Sequence, residues 1–182
     1  GYNSRMPHLV VSSLSRLAET ARRHEAREMI TLLSPRTEIT RPSGIRSERH
    51  LFLDMNDISR QTDGLQMPDN HHIVQLIDFA HAWDRSAPLL IHCWMGISRS
   101  TAAAFIIANA LQADANPMDI ALQLRQRSPS ATPNARMVLL ADEMLGRDGA
   151  MVRAVRHIGR GADAYEGTPF VLPLDFPSQS IS

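Results

Sequence analysis

Residues 92–100 read HCWMGISRS and contain the single cysteine of the chain, Cys93, six positions before Arg99. A short apolar run over 88–91 precedes this stretch, and an apolar pattern with helical spacing follows it over 101–111. The sequence therefore predicts a strand, a tight loop and the start of a helix. A helix N-terminus offers free backbone N–H groups to anions, and its field favours the thiolate form of a nearby cysteine.

Composition narrows the class of protein. The chain has 182 residues, a length typical of one domain, so we expect a single domain over 1–182. Within it, residues 1–5 fit an expression remnant and 147–182 a C-terminal extension. The zero net charge predicts neither a nucleic-acid nor a membrane partner. No leader or long apolar run is visible, so a cytoplasmic location is expected. A single cysteine excludes an internal disulfide and a multi-cysteine metal site.

Strand and helix patterns alternate along the first half of the chain, and helices dominate the second half. Strands are predicted over 8–11, 29–33, 50–54 and 88–92, and helices over 14–25, 69–83, 99–111, 117–126, 134–145 and 151–158, with a weak strand signal over 170–174. A long loop is predicted over 57–70. This order predicts an α/β fold with a central, mostly parallel sheet flanked by helices. Ligand sites in such sheets lie beyond the carboxyl ends of the strands, where the cysteine loop is expected.

The composition of the loop suits a phosphate group. Its residues Trp94, Met95, Gly96, Ile97, Ser98 and Arg99 supply up to six backbone N–H groups and no carboxylate. Gly96 permits a tight bend with positive φ, and the Arg99 guanidinium can hold two phosphoryl oxygens at once. Cys93, as a thiolate, would attack phosphorus and form a cysteinyl-phosphate. The loop therefore predicts nucleophilic attack on a phosphoryl group.

HCWMGISRS resembles the signature of the cysteine-dependent protein tyrosine phosphatases, in which His-Cys, five residues, Arg and Ser or Thr follow one another. The run ISRS followed by an apolar helix is most similar to the small, dual-specificity-like branch, here taken to be of bacterial type. The resemblance extends over about 52–145. It implies that Cys93 is the nucleophile, that Arg99 binds the phosphate, and that Ser100 donates to the sulfur. It gives His92 the role of organising the loop, and it implies no metal and no cofactor.

The resemblance also implies a general acid, usually an aspartate on a loop about 30 residues or more before the cysteine. Asp57 is preferred because it follows the third strand directly, although it precedes Cys93 by 36 residues. Asp63, 30 residues before the cysteine, is the alternative. Asp54 could still belong to the strand, and Asp69 suits a helix N-cap. A simple role in loop solvation also stays open for Asp57.

Three other polar groups invite a functional interpretation. Asn134 matches a position where members of the family place an asparagine near the catalytic loop, where it could position water, although helix capping is the simpler account. The adjacent His71 and His72 would point to different sides of a helix, so a metal site there is rejected.

The residue types within the cysteine loop indicate the class of substrate. Phosphoinositide phosphatases of this superfamily tend to have lysines in the loop, and this chain has none. A simple phosphomonoester therefore fits better, such as phosphotyrosine in a protein, with phosphoserine and phosphothreonine left open. The predicted function is a phosphomonoester hydrolase acting on phosphoproteins. The alternative is a catalytically idle module that only binds phosphate.

Overall fold

A computed structural model of the chain describes residues 6–174, so residues 1–5, interpreted above as an expression remnant, lie outside it. Its centre is a five-stranded sheet with the order β3-β2-β4-β1-β5. The strands are β1 (His8–Ser12), β2 (Glu28–Leu33), β3 (His50–Asp54), β4 (Leu89–His92) and β5 (Phe170–Pro173). The first four run parallel, and β5 pairs antiparallel with β1 at the edge. The mostly parallel α/β sheet predicted from the sequence is confirmed.

Helices connect the parallel strands and fill the second half of the chain. They are α1 (Leu17–Arg23), α2 (Asn70–Ala82), α3 (Arg99–Leu111), α4 (Pro117–Arg127), α5 (Ala135–Met144) and α6 (Ala150–Ile158), with one 3-10 turn at Ser47–Arg49. The helical C-terminal half is also confirmed. No helix within residues 6–174 is long and apolar enough to cross a membrane.

Alternate residues of the strands enter two different apolar cores, as the period of two in a strand requires. One side of the sheet packs against residues from α2 to α6, with Phe105 of α3 completely buried. The other side packs against α1 through Val10, Met29 and Leu90. Since both faces are covered, the parallel strands are apolar nearly throughout, and functional polar groups gather at the strand ends.

The predicted first helix begins later than expected. A serine cap at Ser12 or Ser13 would start it near residue 14, but α1 begins at Leu17 and has no side-chain cap. The Ser12 hydroxyl donates to the Ser13 carbonyl instead. Leu14 donates its backbone N–H to the Trp94 carbonyl at 3.0 Å. The segment between β1 and α1 therefore supports the cysteine loop.

The C-terminal part of the chain joins the same core. Met151 and Ala154 of α6 and Leu172 of β5 are completely buried in the larger of the two cores. The described part of the predicted extension, 147–174, therefore completes both the helical layer and the sheet. A single domain over 1–182 stays a prediction, because 1–5 and 175–182 lie outside the described residues.

Candidate active site

The cysteine loop, residues 93–98, connects β4 to α3 at the carboxyl ends of the parallel strands. Gly96 adopts φ of +71° at its centre. A Cβ atom on Gly96 would lie 3.0 Å from the Ser13 nitrogen and 3.2 Å from the Ser12 carbonyl carbon. Both the backbone angle and the space therefore require glycine at this position.

The loop carbonyls are held by four backbone N–H groups from three other segments of the chain. The bonds are Leu14 N to Trp94 O (3.0 Å), Gly167 N to Met95 O (2.8 Å), Thr132 N to Ile97 O (2.9 Å) and Asn134 N to Ser98 O (3.2 Å). In a trans peptide the N–H points away from the C=O, so anchoring the carbonyls on the outside turns the N–H groups towards the inside of the loop. Of the N–H groups of residues 94–98, that of Gly96 alone has a partner among residues 6–174. That partner is the cysteine sulfur.

The Cys93 thiol lies at the base of the loop and is only 2% exposed. Its Sγ is 3.0 Å from the Ser100 Oγ and accepts the Gly96 N–H at 3.3 Å. Ser100 is completely buried in the first turn of α3. Both contacts would stabilise negative charge on sulfur, since each can place a hydrogen against it.

Arg99, the first residue of α3, has a buried guanidinium that reaches the ends of two other strands. One terminal nitrogen donates to the Met55 carbonyl at 2.8 Å and contacts the Ser34 hydroxyl at 3.4 Å. Its Nε–H and second terminal nitrogen have no partner among residues 6–174. Two parallel donors are thus available for an anion, as a bidentate contact needs.

Asp57 lies against the cysteine loop, because its Oδ1 accepts hydrogen bonds from two groups at the site. The Ser98 hydroxyl donates at 2.7 Å, and the Asn134 side-chain amide donates at 2.8 Å. Both donors bind the same oxygen, so Oδ2 stays available for a proton. The ends of β3 and β4 therefore meet at one edge of the sheet, as their parallel arrangement predicts.

Asn134 caps a helix, the simpler of the two accounts that the sequence offered, and it also contacts the segment that carries Asp57. Its Oδ1 accepts the Met137 N–H at 3.0 Å and caps α5. Its Nδ2 donates to Asp57 and to the Ile58 carbonyl, at 2.8 and 3.1 Å. One side chain thus starts a helix and also anchors the segment that carries Asp57.

The other candidate carboxylates do not reach the loop. Asp63 is exposed and makes no hydrogen bond or ion pair within residues 6–174. Asp54 is exposed at the end of β3. Asp69 caps α2 in a reciprocal arrangement with His72, so the N-cap prediction for Asp69 is confirmed. Within the described residues, no group of three or more His, Cys, Asp or Glu could hold a metal ion.

His92 is completely buried beneath the loop. Its Nδ1 lies 3.1 Å from the Cys93 carbonyl oxygen, and its Nε2 lies 2.7 Å from the Thr31 hydroxyl. Burial is the main cause that lowers the pKa of His92 to about 4, so the ring is neutral at neutral pH. Both ring nitrogens thus lie against protein oxygens, and the role of His92 in organising the loop stays a prediction.

Sequence reasoning missed several residues at this site, and Gly167 and Thr31 are examples. Gly167 holds the Met95 carbonyl, and nothing in its local sequence indicates that contact. Thr31 contacts His92, and a signal was available for it: it is a polar residue within the apolar run MITLL. A polar side chain in a fully buried strand needs a hydrogen-bond partner, so its presence there indicates a network.

No protein-family model matches the sequence, and no curated protein is detectably similar to it. Solved structures are similar in fold. DUSP15 matches with a TM-score of 0.59 at 16% identity, over 86% of this chain and 93% of that one. A mouse putative dual specificity phosphatase complexed with zinc tungstate matches with 0.55 at 15%, over 85% and 95%. Human DUSP28 matches with 0.55 at 17%, over 78% and 94%.

The chain has the dual-specificity phosphatase fold. The alignment with DUSP15 covers 86% of the chain, more than the region about 52–145 to which the sequence resemblance extends. The bacterial type expected from the sequence stays a prediction.

Proposed function

We propose that the protein is a phosphomonoester hydrolase that acts through a cysteinyl-phosphate on Cys93. The single observation that carries this proposal is the cysteine loop itself. Its carbonyls are anchored on the outside, the sulfur lies at its base, and the Arg99 guanidinium has two donors to spare. A dianionic phosphate monoester matches such a set of inward N–H groups and one fixed cation. Tungstate, a tetrahedral oxyanion like phosphate, is present in the complex of the mouse protein of similar fold.

In the first step the Cys93 thiolate attacks phosphorus. The S–P bond forms while the bond from phosphorus to the ester oxygen breaks, and the electron pair leaves with that oxygen. Asp57, protonated on Oδ2, gives its proton to the leaving oxygen. Support for Asp57 in this role comes from its contacts with Ser98 and Asn134, which hold Oδ1 and leave Oδ2 unoccupied. Arg99 and the loop N–H groups bind the three remaining phosphoryl oxygens and stabilise their charge in the transition state.

In the second step water attacks the phosphorus of the cysteinyl-phosphate. The Asp57 carboxylate takes the proton from that water, the new P–O bond forms, and the S–P bond breaks to return the thiolate. Ser100 assists at this point, since its hydroxyl 3.0 Å from sulfur stabilises the leaving thiolate. The products are inorganic phosphate and the alcohol or phenol.

The substrate class we propose is a phosphoprotein, with phosphotyrosine first and phosphoserine and phosphothreonine open. The loop has no lysine to bind the extra phosphates of an inositide headgroup. Trp94, half exposed in the loop, offers an aromatic surface close to the bound phosphate. A cytoplasmic location stays a prediction from the sequence.

The test is hydrolysis of p-nitrophenyl phosphate and of a phosphotyrosine peptide by the wild-type protein and by Cys93→Ser. We expect turnover by the wild type and none by the variant. Phosphate binding by the variant, measured with inorganic phosphate or tungstate by calorimetry, should persist because the loop N–H groups and Arg99 remain. Binding without any Cys93-dependent turnover would contradict the proposal and favour the idle phosphate-binding module.

A further inference from the structure

A line of hydrogen bonds crosses three neighbouring strands and ends at the cysteine loop. Arg41 donates from Nε to His50 Nδ1 at 3.1 Å. His50 Nε2 lies 2.7 Å from the Thr31 hydroxyl, and the same hydroxyl lies 2.7 Å from His92 Nε2. His92 Nδ1 lies 3.1 Å from the Cys93 carbonyl. The line thus runs from an exposed arginine to the peptide that carries the cysteine.

The sheet itself brings these side chains together. Thr31 of β2 pairs directly with His92 of β4, and His50 of β3, whose register partner is Met29, reaches the Thr31 hydroxyl diagonally from the other side. Thr31 and His92 are completely buried, His50 is partly buried, and Arg41 is exposed. The buried hydroxyl and imidazole therefore cannot exchange these partners for water, and each must satisfy its hydrogen bonds within the line.

One direction of donation satisfies every contact. Arg41 can only donate, so His50 Nδ1 is the acceptor and the proton of a neutral His50 is on Nε2. That N–H donates to the Thr31 oxygen, which leaves the Thr31 O–H to donate to His92 Nε2. The His92 proton is then on Nδ1, where it donates to the Cys93 carbonyl. In the opposite tautomer the His92 Nδ1 lone pair would face the carbonyl oxygen.

The imidazole rings of His50 and His92 are both neutral at neutral pH. Burial is the main cause that lowers the pKa of His50 to about 4, and the charge of Arg41 lowers it further. Burial likewise lowers the pKa of His92 to about 4. Each ring at neutral pH thus has one proton, and its partners decide which nitrogen holds it.

The last bond of the line, between His92 Nδ1 and the Cys93 carbonyl, acts on the cysteine loop. The Cys93 carbonyl and the Trp94 N–H belong to one planar trans peptide, so fixing the carbonyl also fixes the N–H that points the other way. Donation to the carbonyl polarises the same peptide and makes its N–H a stronger donor. Trp94 N–H is the first of the inward N–H groups of the loop.

We propose that Arg41, His50 and Thr31 are positioning residues that select the Nδ1-protonated tautomer of His92 and thereby fix the Cys93–Trp94 peptide. The effect on catalysis rests on the phosphatase function proposed above. The tautomer itself does not, because it follows from the four contacts alone.

The direct test is ¹⁵N NMR of the histidine rings at neutral pH, since protonated and unprotonated ring nitrogens have different shifts. The chain has eight histidines, and His50→Gln and His92→Gln assign the two signals needed. We expect opposite tautomers, with Nε2 protonated in His50 and Nδ1 protonated in His92. Protonation of His92 at Nε2, or of His50 at Nδ1, would overturn the proposal.

Two substitutions test whether the line transmits this choice. Thr31→Val keeps the branched shape and removes the hydroxyl, and Thr31→Ser keeps the hydroxyl. We expect Thr31→Val to mix the two His92 tautomers and Thr31→Ser to preserve the wild-type signal. Arg41→Ala changes an exposed side chain, so its folding is not at risk, and we expect it to mix the His50 tautomers. Unchanged histidine ring signals in Thr31→Val and Arg41→Ala would show that these side chains do not select the tautomers, and would overturn the proposal.

Kinetics provide the second readout. Thr31→Val should lower kcat about five- to tenfold, the size of one hydrogen bond, and Thr31→Ser should restore most of it. KM should change less, because Arg99 and the other loop N–H groups remain. If the wild type has the expected tautomers but no phosphatase activity, the proposed function is wrong, and the proposed selection of the His92 tautomer stands. If activity is present but His92 is protonated on Nε2, the proposed selection of the tautomer is wrong, and the proposed function stands.

Discussion

The side-chain amide of Asn134 donates to Asp57 Oδ1 at 2.8 Å, although the two residues are 77 positions apart. The same asparagine caps α5 through its oxygen. A helix start and the candidate general acid therefore share one side chain. This arrangement holds the segment after β3 against the cysteine loop, and it allows acid positioning and helix capping to be separated by mutation.

Asp57→Asn should lower kcat on phenyl phosphate about 10²-fold or more, because the leaving phenolate then lacks its proton donor. The loss should be smaller with p-nitrophenyl phosphate, whose leaving group is stable without a proton. Steady-state kinetics on the two esters measure the difference. The matched control is Asp63→Asn, an exposed carboxylate without contacts in residues 6–174, which should keep the wild-type rate. Equal activity of Asp57→Asn and wild type on phenyl phosphate would assign the acid elsewhere.

Substitutions of Asn134 should separate its two roles. Asn134→Ala removes both and should lower the free energy of unfolding by about 1 kcal/mol, the usual value of an N-cap. Asn134→Ser keeps a capping oxygen but removes the amide donor to Asp57. We expect Asn134→Ser to retain most of the stability yet to show a lowered kcat, measured by urea unfolding and steady-state kinetics. Parallel losses of stability and activity in both variants would mean that the cap alone matters.

Ser100→Ala should slow breakdown of the cysteinyl-phosphate more than its formation, because the departing thiolate loses its hydroxyl donor. A hydrogen bond to a charged group is worth about 1.5–3 kcal/mol, which corresponds to roughly 10- to 100-fold in that step. Rapid-quench kinetics with p-nitrophenyl phosphate should show a burst of nitrophenol that exceeds the wild-type burst. A lower steady rate without any burst would place the effect of Ser100 on the first step instead.

Gly167→Ala should disturb the cysteine loop from outside the site. An added Cβ would lie 2.6 Å from the Gly96 carbonyl oxygen, so Gly96 or Gly167 must move. Overpacking of this kind costs about 1–3 kcal/mol, and the shift should also weaken tungstate binding. The control is Gly44→Ala, where the nearest atom to an added Cβ is 3.6 Å away. Thermal unfolding and tungstate titration compare the two variants. Equal stability and equal tungstate affinity would show that the segment around Gly167 does not support the cysteine loop.

His50 and His92 should make the free energy of unfolding depend on pH in a defined window. Their folded pKa is about 4, below the ordinary 6.5, so the unfolded chain binds their protons first as pH falls. Stability from this source is complete above pH 6.5 and is lost as pH falls from 6.5 to about 4. The slope approaches ~1.4 kcal/mol per pH unit for each histidine.

His50→Gln should remove the contribution of one histidine to that slope, ~1.4 kcal/mol per pH unit, because glutamine does not titrate. Glutamine can still donate to Thr31, so the hydrogen bond is kept. Urea unfolding between pH 7 and 4.5 measures the slope in both proteins. Burial also lowers the pKa of His24 and His72, and their contributions cancel in the difference. Identical slopes in wild type and variant would contradict the lowered pKa of His50.

Local patterns account for most of what could be predicted. The apolar runs MITLL over 29–33 and PLLI over 88–91 located β2 and β4, and apolar residues at helical spacing located α2, α3 and α5. The predicted start of α1 at residue 14 was wrong: the helix begins at Leu17, and the Leu14 N–H bonds to the Trp94 carbonyl in the loop after the neighbouring strand β4. Local propensity cannot report a partner 80 residues away.

Sequence alone determined that Cys93, Gly96, Arg99 and Ser100 occur in one strand-loop-helix unit, because neighbours in a short loop must lie together. The α/β sheet also followed from local periodicity. The tertiary structure alone decided which segments surround the loop, since its carbonyls bond to backbone from three distant places in the chain. It also brought Asp57, rather than Asp63, to Ser98 and Asn134. Such contacts depend on how strands order in the sheet, and strand order is a property of the folded chain.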